Sequence, residues 1–385
     1  MTATAIKNDQ PGYGTDVNEI ARNLADKFSA AAAEFDESGA FVAGNYDSIR
    51  ASGLLAAAVP AELGGMGASY QELCDMLRIL AKGCGSTALA LSMHTHQVAI
   101  PAWRWRHQKI AAVEPLLKRI VAENLILLSS GGSDWIAGSG KAVKVEGGYR
   151  ISARKVFTSA APAGNILMTG AILQQEGQPD QVIHFGVPMK APEVKILETW
   201  NTMSMRGTGS HDVLIEGLFI PDSAVAMTRK AGEWHPVFQI IATIAFPLIY
   251  GVYLGIAESA RDTASQLATK RIPTHHLIEL AGRMETELRG AQMAHRSMIA
   301  AVERNAPSAE SVNDVMTGRA LLADHALKSV ELAMELAGGA CIYRANGLER
   351  RFRDIQGARF HPLQSGPQAQ YAGSIALGLP VANVF

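Results

Sequence analysis

The spacing of apolar residues changes period twice along this chain, and that change constrains the fold more than any other feature. Val17, Ile20, Leu24, Phe28 and Ala32 recur at helical spacing, with Thr15 or Asp16 available as N-cap. Residues 46–58 read as a short helix. Leu73, Leu77 and Leu80 share one face of another, 86–102 is an apolar, uncharged interior helix, and 115–122 closes the block. Near Asn124 the period drops to two. Val143 and Val145 alternate up to Gly147-Gly148, and Tyr149 and Ile151 alternate after it, as in a β-hairpin. The stretches 125–128, 164–172, 182–187, 194–197 and 213–220 add further short strands. From Trp234 the helical period returns over 237–267, 276–302 and 311–337, the last ending at Gly338-Gly339. The expected class is α+β: a helical unit over 1–123, a β-sandwich or open barrel over 124–231, and a four-helix-bundle unit over 232–385.

Composition narrows the function. A chain of 385 residues with 48% hydrophobic content must bury several packed units and is too apolar to be disordered. With 35 basic and 36 acidic residues it carries no electrostatic footprint for nucleic acid or an anionic membrane. Cys74, Cys84 and Cys341 show no C-x-x-C spacing, which argues against a disulfide framework or a cysteine zinc site and fits a reducing compartment. His94 and His96 stand two apart on a helix, where their side chains diverge, so no metal site is expected. The opening MTATAIKNDQPGYG lacks a signal-peptide pattern. Residues 240–257 are apolar enough for a membrane span but contain Pro247, Gly251 and Gly255, and they are expected to form a buried core helix. A cytoplasmic protein with no membrane partner follows.

Four segments carry chemistry: Pro60-Ala-Glu-Leu-Gly-Gly-Met-Gly67, Ser129-Ser-Gly-Gly-Ser-Asp134, Lys155-Val-Phe-Thr-Ser159, and Leu336-Ala-Gly-Gly339 with Leu348-Glu-Arg-Arg-Phe-Arg-Asp354. Glycines in the second let backbone N–H groups approach a phosphate. An aromatic beside hydroxyls, as in Phe157, Thr158 and Ser159, offers a flat face and polar partners to a planar cofactor. The same residues also fit an ordinary strand edge, and a helix ending at Gly-Gly needs no ligand.

In order and spacing, these segments resemble the acyl-CoA dehydrogenase superfamily over nearly the whole chain. The resemblance implies a flavin, FAD or FMN, contacted by Phe157, Thr158 and Ser159, by Ser129 and Ser133, and by Gly338 and Gly339 across a subunit boundary of a homo-oligomer, a tetramer in the family pattern. The usual Arg-x-x-Phe-Gly is replaced by Lys270-Arg271-Ile-Pro-Thr, which implies weak retention of flavin. The family's catalytic carboxylate is missing at both of its places: His361-Pro362 stand at its Tyr-Glu pair, and Gln239 at the alternative site. A histidine just after Arg-Asp resembles the two-component monooxygenase branch, which takes reduced flavin from a separate reductase and oxygenates a small hydrophobic (aromatic, sulfur or amine) substrate through a C4a-hydroperoxyflavin. On that reading His361 is an acid/base or peroxide donor near neutral pH, Ser159 lies beside the flavin, and Ser92, His94, His96, Trp103, Arg206 and Gln239 border the substrate. A packed histidine also fits His94 and His96, a satisfied loop histidine held by Pro362 also fits His361, and a surface ion pair also fits Arg206. The competing expectations are a divergent acyl-CoA or acyl-carrier dehydrogenase and a scaffold that binds without catalysing.

Overall fold

The computed structural model describes residues 16–134 and 136–381. Thr15 and the opening segment lie outside the described residues, as does the side chain of Ser133. Asp16 caps α1 (Val17–Ser38), its carboxylate accepting from the Asn18 N–H at 2.8 Å. The helix expected over 46–58 is α2 (Ala43–Ser52), which stops at Gly53 with φ 79° before a 3₁₀ turn at Leu54–Ala56. A capping box between Ser69 and Glu72 starts α3 (Tyr70–Gly83). The interior helix α4 (Gly85–Gln108) runs beyond its expected end through Pro101, and α5 (Glu114–Glu123) completes the block.

Eight strands follow: β1 (Leu127–Ser129), β2 (Lys141–Val145), β3 (Gly148–Lys155), β4 (Ile166–Leu173), β5 (Gln181–Pro188), β6 (Val194–Leu197), β7 (Asp212–Pro221) and β8 (Met227–Lys230). Among the described residues these form one mixed sheet, seven of them in the order β6-β7-β3-β2-β4-β5-β8, with β1 paired to β4 off that path. β1 and β2 both run parallel to β4, β1 along Ile166 to Met168 and β2 at Ile172 and Leu173. The expected hairpin is β2–β3, in register from Lys141 opposite Ser152 to Val145 opposite Gly148.

The long helices α6 (Val237–Ala268), α7 (His275–Glu303) and α8 (Ala309–Ala337) pack on one another, with α9 (Leu348–Asp354) and α10 (Ser365–Ala376) against α8. α6 is long and apolar enough to cross a membrane, yet it is mostly buried within the protein, as a core helix is. Its glycines explain how. A Cβ on Gly255 would stand 2.2 Å from the Arg78 carbonyl oxygen, and one on Gly251 would stand 3.1 Å from that of Cys74, so α3 lies directly against α6. Helix α4 packs on α6 as well, and this contact between first and last helical blocks frames the site.

Candidate active site

The segment leaving β3 is fixed from below by a buried lysine. Lys155 donates to the carbonyls of Ser139 (2.9 Å) and Gly170 (2.7 Å) and pairs with Asp134 at 3.0 Å, tying the loop after β1 to β4. Burial pulls its ammonium below the usual lysine range, against the opposing pull of Asp134. Two residues on, Phe157 takes φ 53° and remains 60% exposed despite being a large apolar side chain. Trp200 holds its ring edge-on at 5.8 Å. Thr158 is buried, its N–H donating to the His211 carbonyl at 3.1 Å.

Ser159 Oγ lies 2.8 Å from Ser210 Oγ, which lies 2.7 Å from Thr208 Oγ1. Three hydroxyls in a row supply three donors and only two links. When Thr208 donates to Ser210 and Ser210 to Ser159, the Ser159 O–H is left to point at a ligand. Ser129 ends β1 opposite Met168, half-buried.

Gly131 and Gly132 join this edge to the C-terminal block. A Cβ on Gly131 would stand 3.1 Å from Phe157 Cβ, and one on Gly132 would overlap Pro362 Cγ at 2.2 Å. The residue after His361 therefore packs one glycine away from Phe157.

His361 is seated by three residues from two helices. Its Nε2 meets the Tyr253 hydroxyl at 2.7 Å, and its ring lies against Tyr250 and Tyr253 at 6.2 and 5.5 Å. Arg319, on α8 and fully buried, donates through Nη2 to the carbonyls of Ala358 (3.1 Å), Arg359 (3.3 Å) and His361 (2.9 Å). Tyr250 also donates to Ala358 at 2.7 Å, with the guanidinium 5.3 Å over its ring. Burial first, then the Arg319 charge and then His96, lower His361 to about 4. At neutral pH the ring is therefore an uncharged imidazole.

No carboxylate of this segment can substitute for it. Glu349 pairs with Arg353 at 2.8 Å, and Asp354, raised to about 6 by burial, accepts from the Met205 N–H at 2.6 Å. Arg353 in turn clamps Asp36 at the end of α1.

The other residues expected at the site are dispersed. His94 spends both nitrogens on backbone, Nε2 at 2.9 Å from the Leu55 carbonyl and Nδ1 accepting from Leu127 N–H at 3.0 Å. Ser92 donates to the Leu89 carbonyl at 2.7 Å. His96 donates from Nδ1 to the Ser92 carbonyl at 3.0 Å and is close enough to affect His361 electrostatically. Arg206 is no surface ion pair: its guanidinium is spent on the carbonyls of Asp36 (2.5 Å), Thr202 (2.8 Å) and Glu37 (3.4 Å). Trp103 stacks on His107 at 5.2 Å in a separate cleft of about 260 Å³ that Ala99, Tyr70 and Val302 also line and that includes neither His361 nor Phe157. Gln239 lies in the first turn of α6, partly exposed. Gly338 ends α8 at φ 62°, where Arg271 donates to the Leu336 carbonyl at 2.8 Å.

Tyr253, Tyr250 and Arg319 stand outside every motif of the sequence. Arg319 had a signal, since it stands on the buried stripe of Val312, Val315, Met316, Leu322 and Ala323, where a charge needs a reason.

Residues 15–117 match the family model for the acyl-CoA dehydrogenase N-terminal domain, and 248–365 match that for its C-terminal domain. The chain belongs to the acyl-CoA dehydrogenase superfamily. It is 27% identical to the putative acyl-CoA dehydrogenase YdbM of Bacillus subtilis, over 93% of this chain and 94% of that one. It is 26% identical to the amino sugar nitrososynthase DnmZ of Streptomyces peucetius, over 86% of each. Identity to a dibenzothiophene monooxygenase of Mycolicibacterium goodii is 25%, over 93% and 92%. Among solved structures, KijD3 in complex with FMN and an amino-keto dTDP-sugar superposes with a TM-score of 0.86 at 25% identity, over 96% of each chain.

Proposed function

We propose that this superfamily member is a reduced-flavin-dependent monooxygenase acting on a small hydrophobic substrate. The observation that carries the reading is His361, kept uncharged by burial and by Arg319 and hydrogen-bonded to Tyr253, with His361-Pro362 standing where the dehydrogenase pattern has Tyr-Glu. Removing a weakly acidic C–H without a base forfeits about 10²–10⁴-fold in rate. A neutral imidazole that can donate a hydrogen bond suits oxygen transfer instead.

The residues present fit a flavin. Phe157 is an exposed aromatic face, Gly131 and Gly132 leave no room for side chains beside it, and the hydroxyl chain has a donor to spare at Ser159. When bound, reduced flavin supplies the two electrons that activate O₂. Phe157 orients the ring, Ser159 donates at its polar edge, and His361 holds a proton near the reacting oxygen. FMN is favoured over FAD by the KijD3 likeness, and the monooxygenase and nitrososynthase relatives favour oxygenation of a sulfur, aromatic or amine centre. With Arg271 committed to capping α8, flavin is held loosely and comes from a separate reductase in the cytoplasm. His96, whose charge reaches His361, borders the substrate side, and Gly338 and Gly339 meet the flavin of a neighbouring copy in a homo-oligomer. The YdbM likeness keeps acyl-CoA oxidation as the second reading.

Anaerobic protein with reduced FMN or FADH₂, mixed with O₂ in a stopped-flow instrument, tests the two together. A long-lived near-ultraviolet transient before reoxidation is expected, with no bleaching of bound flavin by acyl-CoA thioesters. Tightly held oxidised FAD that acyl-CoAs bleach would overturn the reading in favour of a dehydrogenase.

A further inference from the structure

The Tyr253–His361 contact fixes more than a position. Tyr253 is fully buried on α6, and its hydroxyl meets His361 Nε2 at 2.7 Å, with no other hydrogen-bond partner for that hydroxyl among the described residues. A buried hydroxyl with no acceptor costs more than a hydrogen bond gains. Were His361 protonated on Nε2, it would donate to the phenol oxygen and leave the phenol O–H without an acceptor. With Nε2 bare, the phenol donates to it and the pair is satisfied. The proton then sits on Nδ1, which has no protein partner among the described residues, while the residue keeps part of its surface open.

We propose that Tyr253 is a positioning residue that fixes His361 as the Nδ1–H tautomer, so that the site meets its ligand with a hydrogen-bond donor and not with a base. The ligand atom it takes is an acceptor: a peroxide or other oxygen atom beside the flavin. This rests on the monooxygenase reading for what the donor is used for, though not for the tautomer itself. The groups facing His361 agree. Arg319 from α8 and His96 from α4 oppose a second proton on the ring, and Tyr253 and Tyr250 from α6 stay as neutral phenols because burial raises them above the ordinary tyrosine range. His361 therefore donates without becoming charged, and its donor strength is constant across neutral pH.

Nitrogen-15 NMR of histidine-labelled, flavin-free protein reads the tautomer directly, with His361 located by its loss in His361→Asn. The expected spectrum has a protonated Nδ1 and an unprotonated Nε2 that stay unchanged from pH 6 to 8. Tyr253→Phe should move the ring toward the Nε2–H form or a mixture. It should also raise the fraction of reduced flavin released as free peroxide several-fold, with reduced-flavin affinity within about threefold. His361→Asn, whose amide nitrogen can stand near Nδ1, should stay better coupled than His361→Gln, whose amide reaches toward Nε2. A wild-type Nε2–H signal, or an unchanged tautomer in folded Tyr253→Phe, overturns the proposal. Because the NMR arm needs neither flavin nor substrate, an Nδ1–H result without oxygenation refutes only the monooxygenase reading.

Discussion

His94 and His96 stand two residues apart in a buried helix, and both are held near 4 by burial, against an ordinary value of 6.5. A folded-state value below the unfolded one means the unfolded chain takes up protons first as pH falls. The stabilisation is complete above about 6.5 and is lost between 6.5 and 4. The two shifts set an upper bound of roughly 3 kcal/mol each. Urea unfolding should give a midpoint that is flat from pH 7 to 8 and falls steeply toward pH 4.5. His94→Gln should be less stable at pH 7, since Leu55 and Leu127 lose a shared partner, yet show a shallower acid slope. An equal slope would remove His94 as a source of the effect. The same scale shows what could be read in advance. His361 and Phe157 follow from motif order, because the chemistry sits in short contiguous runs. Tyr253 does not, standing 108 residues from His361 in a helix that is apolar on every side, and only packing brings the two together. His94 stood open to both readings, as no sequence pattern distinguishes a ring that hydrogen-bonds backbone from one that faces a ligand.

At the scale of elements, strong periodicity marked the long helices and most strands, whereas two elements escaped it for stated physical reasons. β8 is Met-Thr-Arg-Lys with Arg229 alone buried, so it has no apolar alternation and exists because its backbone pairs with β5. α10 buries only Tyr371, too little to mark a face. The buried core helix expected over 240–257 is α6, and its glycines permit a close helix crossing. That reading makes a paired prediction. Gly255→Ala drives a methyl into the backbone oxygen of Arg78 and should cost about 1–3 kcal/mol as overpacking. Gly282→Ala, on α7 with nothing near its Cβ, should stabilise by about 0.5–1 kcal/mol through helix propensity alone. Thermal denaturation of the two variants separates them, and a neutral Gly255→Ala would show that α3 and α6 are not in contact as described.

For the molecule as a whole, ion pairs and caps tie the first helical block to the last: Arg353 to Asp36, Arg78 and Lys82 to Glu258, and Tyr70 to the Ile244 carbonyl. A unit closed this well should hide its large apolar side chains. Yet Ile342 and Tyr343, which follow the Gly338-Gly339 turn, are 73% and 72% exposed, and Ile272, opposite the same turn through Arg271, is 85% exposed. Such side chains gain about 25 cal/mol for each Å² removed from water, and a surface that presents them together marks an interaction site. A second copy of the chain is the occupant that fits the superfamily, in which this Gly-Gly turn meets a neighbour's flavin. Sedimentation should therefore find a multiple of the single-chain mass at micromolar concentration. The double variant Ile342→Asp, Tyr343→Asp should move the protein toward the single chain and weaken reduced-flavin binding by tenfold or more, while leaving the far-ultraviolet circular dichroism unchanged. A wild type that sediments as one chain, or a dissociated variant that binds flavin normally, would confine the whole cofactor site to Phe157, Ser159 and His361 of one copy and leave Gly338 and Gly339 as a helix terminus alone.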